Sequence, residues 1–459
     1  MGIFPKNFLL NNKTAVKLYD RIVKNLPIID YHCHLSPQEI YENKVFSDVG
    51  KMWLEFDHYR WRLMRLFGVS EEYVTGGASY AEKFKKYAET VETAAGSPMY
   101  HWSNMELGMY FNIDAPLNAK NAEDIFSRCN AYIEKTKMTP RSLIEKSNVK
   151  YVGTTDDVIS PLDYHKFIAE DKGIDFTVAP SFRADNLVLI RRPDYLEWVG
   201  ELGKIVGRRI QTIEDYEYAI INRLDFFVSR NCRIADMGIE FFPNVKGYKV
   251  VANKVLTAVL SGRDFTQTEY EGFLFYIHCF LAKEYKKRNI ISQIHMGVKR
   301  NPNTKIYGAL GLDRGTDCIG KPIDYGSVIA LLDEMHANNG LPKTILYVLN
   351  PADAFPVATI SGAFPDVFCG AAWWFGDNIR KIRDQIKNIA EAAHLGRFFG
   401  MTTDSRSFLS YARHDYFRRI LCDVLGEYVE TGEFIDDENL NKLLYNICYG
   451  NISRELGVK

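Results

Sequence analysis

Two histidines, His32 and His34, stand one residue apart at the end of a short apolar run, Leu26-Pro27-Ile28-Ile29-Asp30-Tyr31. Side chains in a β-strand alternate between faces, so both imidazoles point one way and Cys33 points the other. Two imidazoles about 6–7 Å apart on one face can converge on a single metal ion. The pair also fits two unrelated histidines near a strand end, so its meaning depends on what the fold sets beside it. Two further residues are candidates: His295, closing Gln293-Ile294-His295, and Asp404, within Thr402-Thr403-Asp404-Ser405-Arg406. Each has a structural alternative, His295 as a core histidine bonded to backbone and Asp404 as the N-cap of the next helix. A carboxylate buried at a strand end is costly unless it meets a cation, and a metal on His32 and His34 would supply one. Cys33, facing away, is expected to pack against a helix.

The elements that must carry these residues recur along the chain. After the histidine strand, short runs rich in Val, Ile, Thr and aromatics occur at 150–155, 175–180, Ile234–Phe241, Ile290–His295, Thr344–Leu349, Val367–Trp373 and Phe399–Asp404. Helix-period segments lie between them, for example Tyr270–Lys287, Ser327–Asn338 and Ile379–Ala393. Eight such strands separated by helices predict an α/β fold, a (β/α)₈ barrel of the TIM type with its site at the strand C-terminal ends. Asp30, His32 and His34 then sit on strand one, His295 on strand five and Asp404 on strand eight, all at one level. A helix over Thr14–Leu26 precedes strand one and ends at Pro27, and Ser36-Pro37-Gln38-Glu39 reads as a capping box opening the next helix. From Ile40 to Val149 only helical patterns appear, over Val45–Phe67, Tyr80–Thr90 and Asn121–Lys135. With no Gly/Ser or Pro linker, residues 40–149 are expected to be a helical insertion capping the barrel mouth within one domain spanning 1–459. A helix over Glu438–Leu456 closes the chain.

Composition narrows the function classes. With 459 residues, 46% hydrophobic and 25% charged, the chain can bury a large core. A formal net charge of −1 offers no electrostatic case for nucleic acid or an anionic membrane as partner. The N-terminus lacks a signal-peptide core and no apolar run approaches ~18 residues, so a cytoplasmic location is expected. Eight scattered cysteines without a Cys-x-x-Cys pair fit reduced, mostly buried thiols.

The set of His32, His34, His295 and Asp404 on strands one, five and eight resembles the metal centre of amidohydrolase-type, metal-dependent hydrolase barrels. Two-metal versions use a bridging modified lysine on strand four and a histidine on strand six; neither is present in Arg233–Gly238 or Ile345–Leu349. One divalent ion is therefore expected, zinc first, with manganese or others as alternatives. More specifically, Asp30-Tyr31-His32-Cys33-His34-Leu35-Ser36-Pro37 resembles the opening motif of the uronate (glucuronate) isomerases, a divergent amidohydrolase family. The segments Asp57–Arg62, Thr154–Asp157, Pro180–Arg183, Gln293–His295, Arg300–Asn303, Trp373–Phe375 and Thr403–Phe408 agree with it, so the resemblance spans nearly the whole chain.

The resemblance implies an aldose–ketose isomerase interconverting D-glucuronate and D-fructuronate, and D-galacturonate and D-tagaturonate, on a small-molecule hexuronate, as a homo-oligomer. It makes His32, His34 and Asp404 metal ligands, with Asp404 as ligand or base, and His295 a neighbour of the metal facing substrate. Tyr59 and Arg406 would address the sugar's C1 and C2 oxygens, Arg183 its carboxylate or a nearby hydroxyl, and His58 and Trp373 would line the pocket. Moving a proton from C2 to C1 through a cis-enediol needs a base and a shuttle between O1 and O2, which suits an Asp, a Tyr and an Arg. Of the aromatic run Trp53, Phe56, Tyr59, Trp61 and Phe67, most fit a helical core; only Tyr59, with His58, is singled out for function. One departure is visible: Met237 stands where the family has histidine, which bears on affinity if that position touches substrate. Two alternatives compete, a mononuclear metal-dependent hydrolase of the same barrel type and a non-catalytic sugar-acid binder. A Tyr59→Phe change would cripple an isomerase and spare many hydrolases.

Overall fold

The computed structural model describes residues 3–458; residues 1, 2 and 459 of the predicted 1–459 span lie outside the described residues. Seven parallel strands form one sheet in the order β1 (Ile28–Asp30), β2 (Val149–Asp157), β3 (Thr177–Arg183), β4 (Ile234–Ile239), β5 (Ile291–Met296), β8 (Thr344–Val348), β9 (Val367–Cys369). The two intervening strands, β6 (Val298–Lys299) and β7 (Cys318–Ile319), make a separate antiparallel pair just beyond the C-terminal end of β5. Helices such as Gln267–Lys287, Tyr325–Ala337 and Ala354–Ala363 connect successive strands of the sheet, as parallel pairing requires. Strands β1, β8 and β9 are buried throughout, matching their continuous apolar runs.

The predicted eighth strand, Phe399–Asp404, is not a regular strand. Gly400 and Asp404 have φ values of +73° and +46°, which interrupt an extended repeat. The segment still runs alongside β1, with Asp404 N donating to His32 O at 3.1 Å and His34 N to Ser405 O at 2.9 Å. The histidine strand is likewise shorter than expected, ending at Asp30, and Cys33 N donates to Gly153 O of β2 at 2.8 Å. Cys33 itself is fully buried in apolar surroundings. Asp30 turns away from the histidines and accepts from Thr403 N and Thr403 Oγ1 at 2.8 and 2.6 Å.

Between β1 and β2 the chain is helical, as expected, and its buried Trp53, Phe84, Trp102 and Ile125 share a core with Ile29, Val149 and Tyr151 of the sheet. The pattern over Val45–Phe67 resolves into two helices, Val49–Leu54 and His58–Phe67. Asp57 breaks it: its carboxylate accepts from Tyr59 N and Arg60 N at 2.9 and 3.3 Å, a better cap than helix interior. Trp53, Tyr59 and Trp61 are buried, whereas Phe56 and Phe67 are exposed. The terminal helices each contain a π-turn, Tyr19–Val23 and Asn446–Gly450, and at Ser36 only the side-chain cap on Glu39 N forms. No helix among the described residues is long and apolar enough to cross a membrane.

Candidate active site

The site lies at the C-terminal ends of the strands, where a cleft of about 550 Å³, counting the solvent-open space at its mouth, lies beside the helix His58–Phe67. His32 and His34 reach it from the stretch after β1, Arg183 from the last residue of β3, Asp236 from β4 and His295 from β5. Trp373 follows β9, and Asp404 and Arg406 come from the irregular segment beside β1. Nine residues named from the sequence meet here. Eight line the cleft, and the ninth, Tyr59, reaches it through its hydroxyl.

Asp404 is the point of convergence. His32 Nε2 and His34 Nε2 lie 3.3 and 3.1 Å from its Oδ1. Its Oδ2 accepts from Trp373 Nε1 at 2.9 Å and from the Tyr59 hydroxyl at 3.4 Å. His58 Nδ1 and Arg406 Nη1 are 2.9 Å apart, and Arg406 also faces Asp313 at 3.5 Å. Arg183 Nε binds Asp185 at 3.1 Å and stands 4.0 Å from Asp236.

Burial and charge set the protonation pattern. Burial works against charge on Asp404, but hydrogen bonds from His32 and His34 hold its carboxyl well below the usual range. Burial alone would discharge His32; Asp236 and Asp404 together raise its pKa above the ordinary histidine value. His34, lacking the Asp236 charge and facing Arg406 as well as burial, falls to about 3. His58 falls to about 4 through burial and the neighbouring Arg406 cation, so it is a neutral imidazole at pH 7. The Tyr59 phenol is pushed well above 10 by burial and by the Asp404 carboxylate, and thus keeps its proton.

Sequence reasoning passed over Asp236. Strand four lacks the lysine of two-metal sites, yet Asp236 supplies a carboxylate whose Oδ1 lies 2.8 Å from His295 Nδ1. Its signal was a buried carboxylate in an apolar strand paired in register with Gln293, two residues before His295. Arg300, Asp313, Asp317 and Trp374 also line the cleft without having been assigned roles. Three of these ride on the long excursion between β5 and β8, whose approach to the site no local pattern encodes. Met237, adjacent to Asp236, points to the opposite face and packs in the core with Leu281 and Ile294, away from the cleft.

Two sets of donors could hold a cation: His32, His34 and Asp404, and His32, Asp236 and His295. Within each set the ligand atoms lie within 4.8 Å of one another. Imidazole nitrogens with carboxylate oxygens, mostly buried, fit a divalent ion of the zinc or manganese kind. Sharing His32 draws all five side chains to one region.

Comparison with known proteins bears on the family and the fold. The family model described as glucuronate isomerase matches residues 1–455. A uronate isomerase of Caldanaerobacter subterraneus subsp. tengcongensis is 46% identical over 461 residues, covering 99% of each chain. The crystal structure of a uronate isomerase from Thermotoga maritima superposes with a TM-score of 0.94 at 31% identity, covering 99% of this chain and 100% of that one. A metal-dependent hydrolase structure from Lactobacillus casei, described as putative, is similar in fold alone, with a TM-score of 0.52 at 14% identity over 95% of this chain and 96% of that one. Because the match runs from end to end in both sequence and fold, the chain belongs to the glucuronate isomerase family.

Proposed function

We propose that this protein interconverts D-glucuronate and D-fructuronate, and D-galacturonate and D-tagaturonate, by proton transfer through a cis-enediol. The observation that carries the reading is the convergence of a phenol, an indole and two imidazoles on the single carboxylate of Asp404. An aldose–ketose isomerase needs a proton donor beside its base, and the protonated Tyr59 lies 3.4 Å from the Asp404 carboxylate; the hydrolase alternative rests on fold alone.

Asp404, ionised, takes the proton from C2 and returns it to C1. Tyr59 gives its proton to O1 and recovers one from O2, so the aldehyde becomes an alcohol as the C2 hydroxyl becomes a ketone. Arg406 lies where negative charge grows on the enediolate oxygens, and neutral His58 accepts from it and fixes its guanidinium. Arg183 pairs with the uronate carboxylate, and Trp373 and His295 wall the sugar in. A divalent cation, zinc as first choice, held by His32, His34 and Asp404 would add Lewis-acid charge at the substrate oxygens. Asp236 and His295, which with His32 form the second candidate donor set, would add nitrogen and carboxylate donors beside it.

The reading extends to the whole chain. Residues 1–459 act as one catalytic unit, with the helical segment 40–149 delivering His58 and Tyr59. The 399–405 segment serves as an eighth stave that closes the sheet into a (β/α)₈ barrel. Its hydrogen bonds to His32 and His34 on one side and the Phe399 ring 4.7 Å from Phe368 of β9 on the other support this. Eight free cysteines fit a reducing, cytoplasmic setting, and assembly into a homo-oligomer is proposed with it. Proton NMR of the zinc-loaded protein with D-glucuronate in D₂O tests the activity: D-fructuronate should accumulate, and its absence would overturn the proposal.

A further inference from the structure

We infer that Arg413 is a positioning residue that fixes Tyr59 against Asp404, an inference that rests on the isomerase reading above. Arg413 belongs to the helix Ala412–Glu430 and its side chain is 1% exposed. Its Nη1 donates to Thr403 O at 3.0 Å, the carbonyl that immediately precedes Asp404. The face of the same guanidinium lies over the Tyr59 ring, 5.4 Å from the centroid, and over the Trp102 ring at 4.0 Å. Its Nη2 stands 4.0 Å from Asp57 Oδ2, while Asp57 Oδ1 caps the helix start by accepting from Tyr59 N at 2.9 Å. One buried cation therefore touches the segment that carries Asp404, the ring of Tyr59 and the cap that begins the Tyr59 helix.

This is a poor arrangement if stability were its only use. Arg413 Nε and Nη2 are buried with no hydrogen-bond partner among the described residues, and so is Arg60 Nη1 in the same cluster. A buried guanidinium with donors unused is disfavoured relative to a well-packed apolar side chain. What the planar fork supplies, and an apolar residue would not, is a fixed relation between two chain segments 345 positions apart whose side chains must meet at 3.4 Å. Arg413 is not among the residues lining the cleft, so it does not touch substrate. Its effect is on the gap between phenol and carboxylate, where a displacement of about 1 Å costs on the order of 10²-fold in rate.

Steady-state kinetics of the zinc-loaded enzyme on D-glucuronate test this with R413K, which keeps the charge and loses the fork. The expected result is a kcat lower by roughly 10²-fold with KM moved less than about threefold, since ground-state binding is untouched. Circular dichroism should show a native fold for the same preparation. In R413A, millimolar guanidinium ion should restore part of kcat, whereas ammonium should not. If neither Arg413 variant folds, Trp102→Leu carries the test, because it frees the guanidinium face and should lower kcat at unchanged KM. A folded R413K with kcat within about threefold of the parent, or a KM that rises in step with the loss, overturns the inference; so does an unaltered kcat in a folded Trp102→Leu when the Arg413 variants fail. Absence of ketose from the parent enzyme would instead remove the isomerase reading itself.

Discussion

Asp404 keeps a left-handed backbone, φ +46°, while its two oxygens serve different neighbours, histidine nitrogens at Oδ1 and the indole and phenol at Oδ2. Aspartate tolerates this conformation better than most residues, and strain of this kind tends to be retained where function demands it. Asp404→Asn keeps the size and the tolerated backbone but removes the carboxylate proposed as the base. Its kcat on D-glucuronate should fall by about 10²–10⁴-fold, measured by ketose formation. Tyr59→Phe removes one oxygen from a ring that stays packed against Trp374. A drop of similar order in kcat, about 10²-fold or more, is expected with a melting temperature close to the parent's, and full activity would remove Tyr59 from the mechanism.

At the scale of elements, the helix His58–Phe67 brings His58 and the Tyr59 hydroxyl to the cleft. Its start is fixed by Asp57 and its flank by the excursion after β5. Arg62 Nη1 donates to Gly315 O and Asp317 O at 3.1 and 2.9 Å, and Gly315 has φ +78° with a hypothetical Cβ only 2.5 Å from His58 O. Gly315→Ala should therefore destabilise by about 1–3 kcal/mol and lower kcat as His58 is pushed aside, readable by urea unfolding and kinetics on the same sample. Asp57→Ala should cost about 1–2 kcal/mol from the lost cap alone, and more because Arg60 loses a buried partner at 3.2 Å. The helices themselves were legible from their periodicity, but the break at Asp57 was hidden inside one continuous pattern over Val45–Phe67. Tyr59 and His58 could be named only through resemblance.

For the whole molecule, titration is coupled to folding, and metal binding at the proposed site should be too. Asp156, just beyond the site on β2, is raised to about 7 by burial, only partly offset by a hydrogen bond from Thr154. A raised carboxyl stabilises the fold below its unfolded pKa near 3.8, and that contribution is lost as pH climbs through about 7. Asp156→Asn should thus be most destabilising relative to the parent near pH 4. The difference should shrink by up to about 4 kcal/mol on approaching pH 7.5, as followed by urea midpoints across that range. Metal removal should act through the same linkage. A chelator-stripped protein should lose activity and melt lower, and zinc at 100 times its Kd should restore about 2.7 kcal/mol of stability. An unchanged melting temperature on adding zinc or manganese would argue against the histidine–carboxylate site.

The sequence by itself determined the α/β class, the alternation of short apolar strands with helices, and the His32-x-His34 pair whose spacing suits a metal. Those features are local, written in periods of two and 3.6 residues and in caps, so they can be read without knowing what lies across the molecule. The sequence grouped His32 and His34 with Asp404, some 370 positions away, only through strand assignment and resemblance; their contact at 3.1–3.3 Å belongs to the tertiary structure. Tertiary structure alone decided that Asp236 joins the cluster, that Met237 faces away from it, and that the last predicted strand is bent at Gly400 and Asp404. Each depends on packing between distant segments, where burial and charge choose among conformations that local sequence leaves nearly equal in energy.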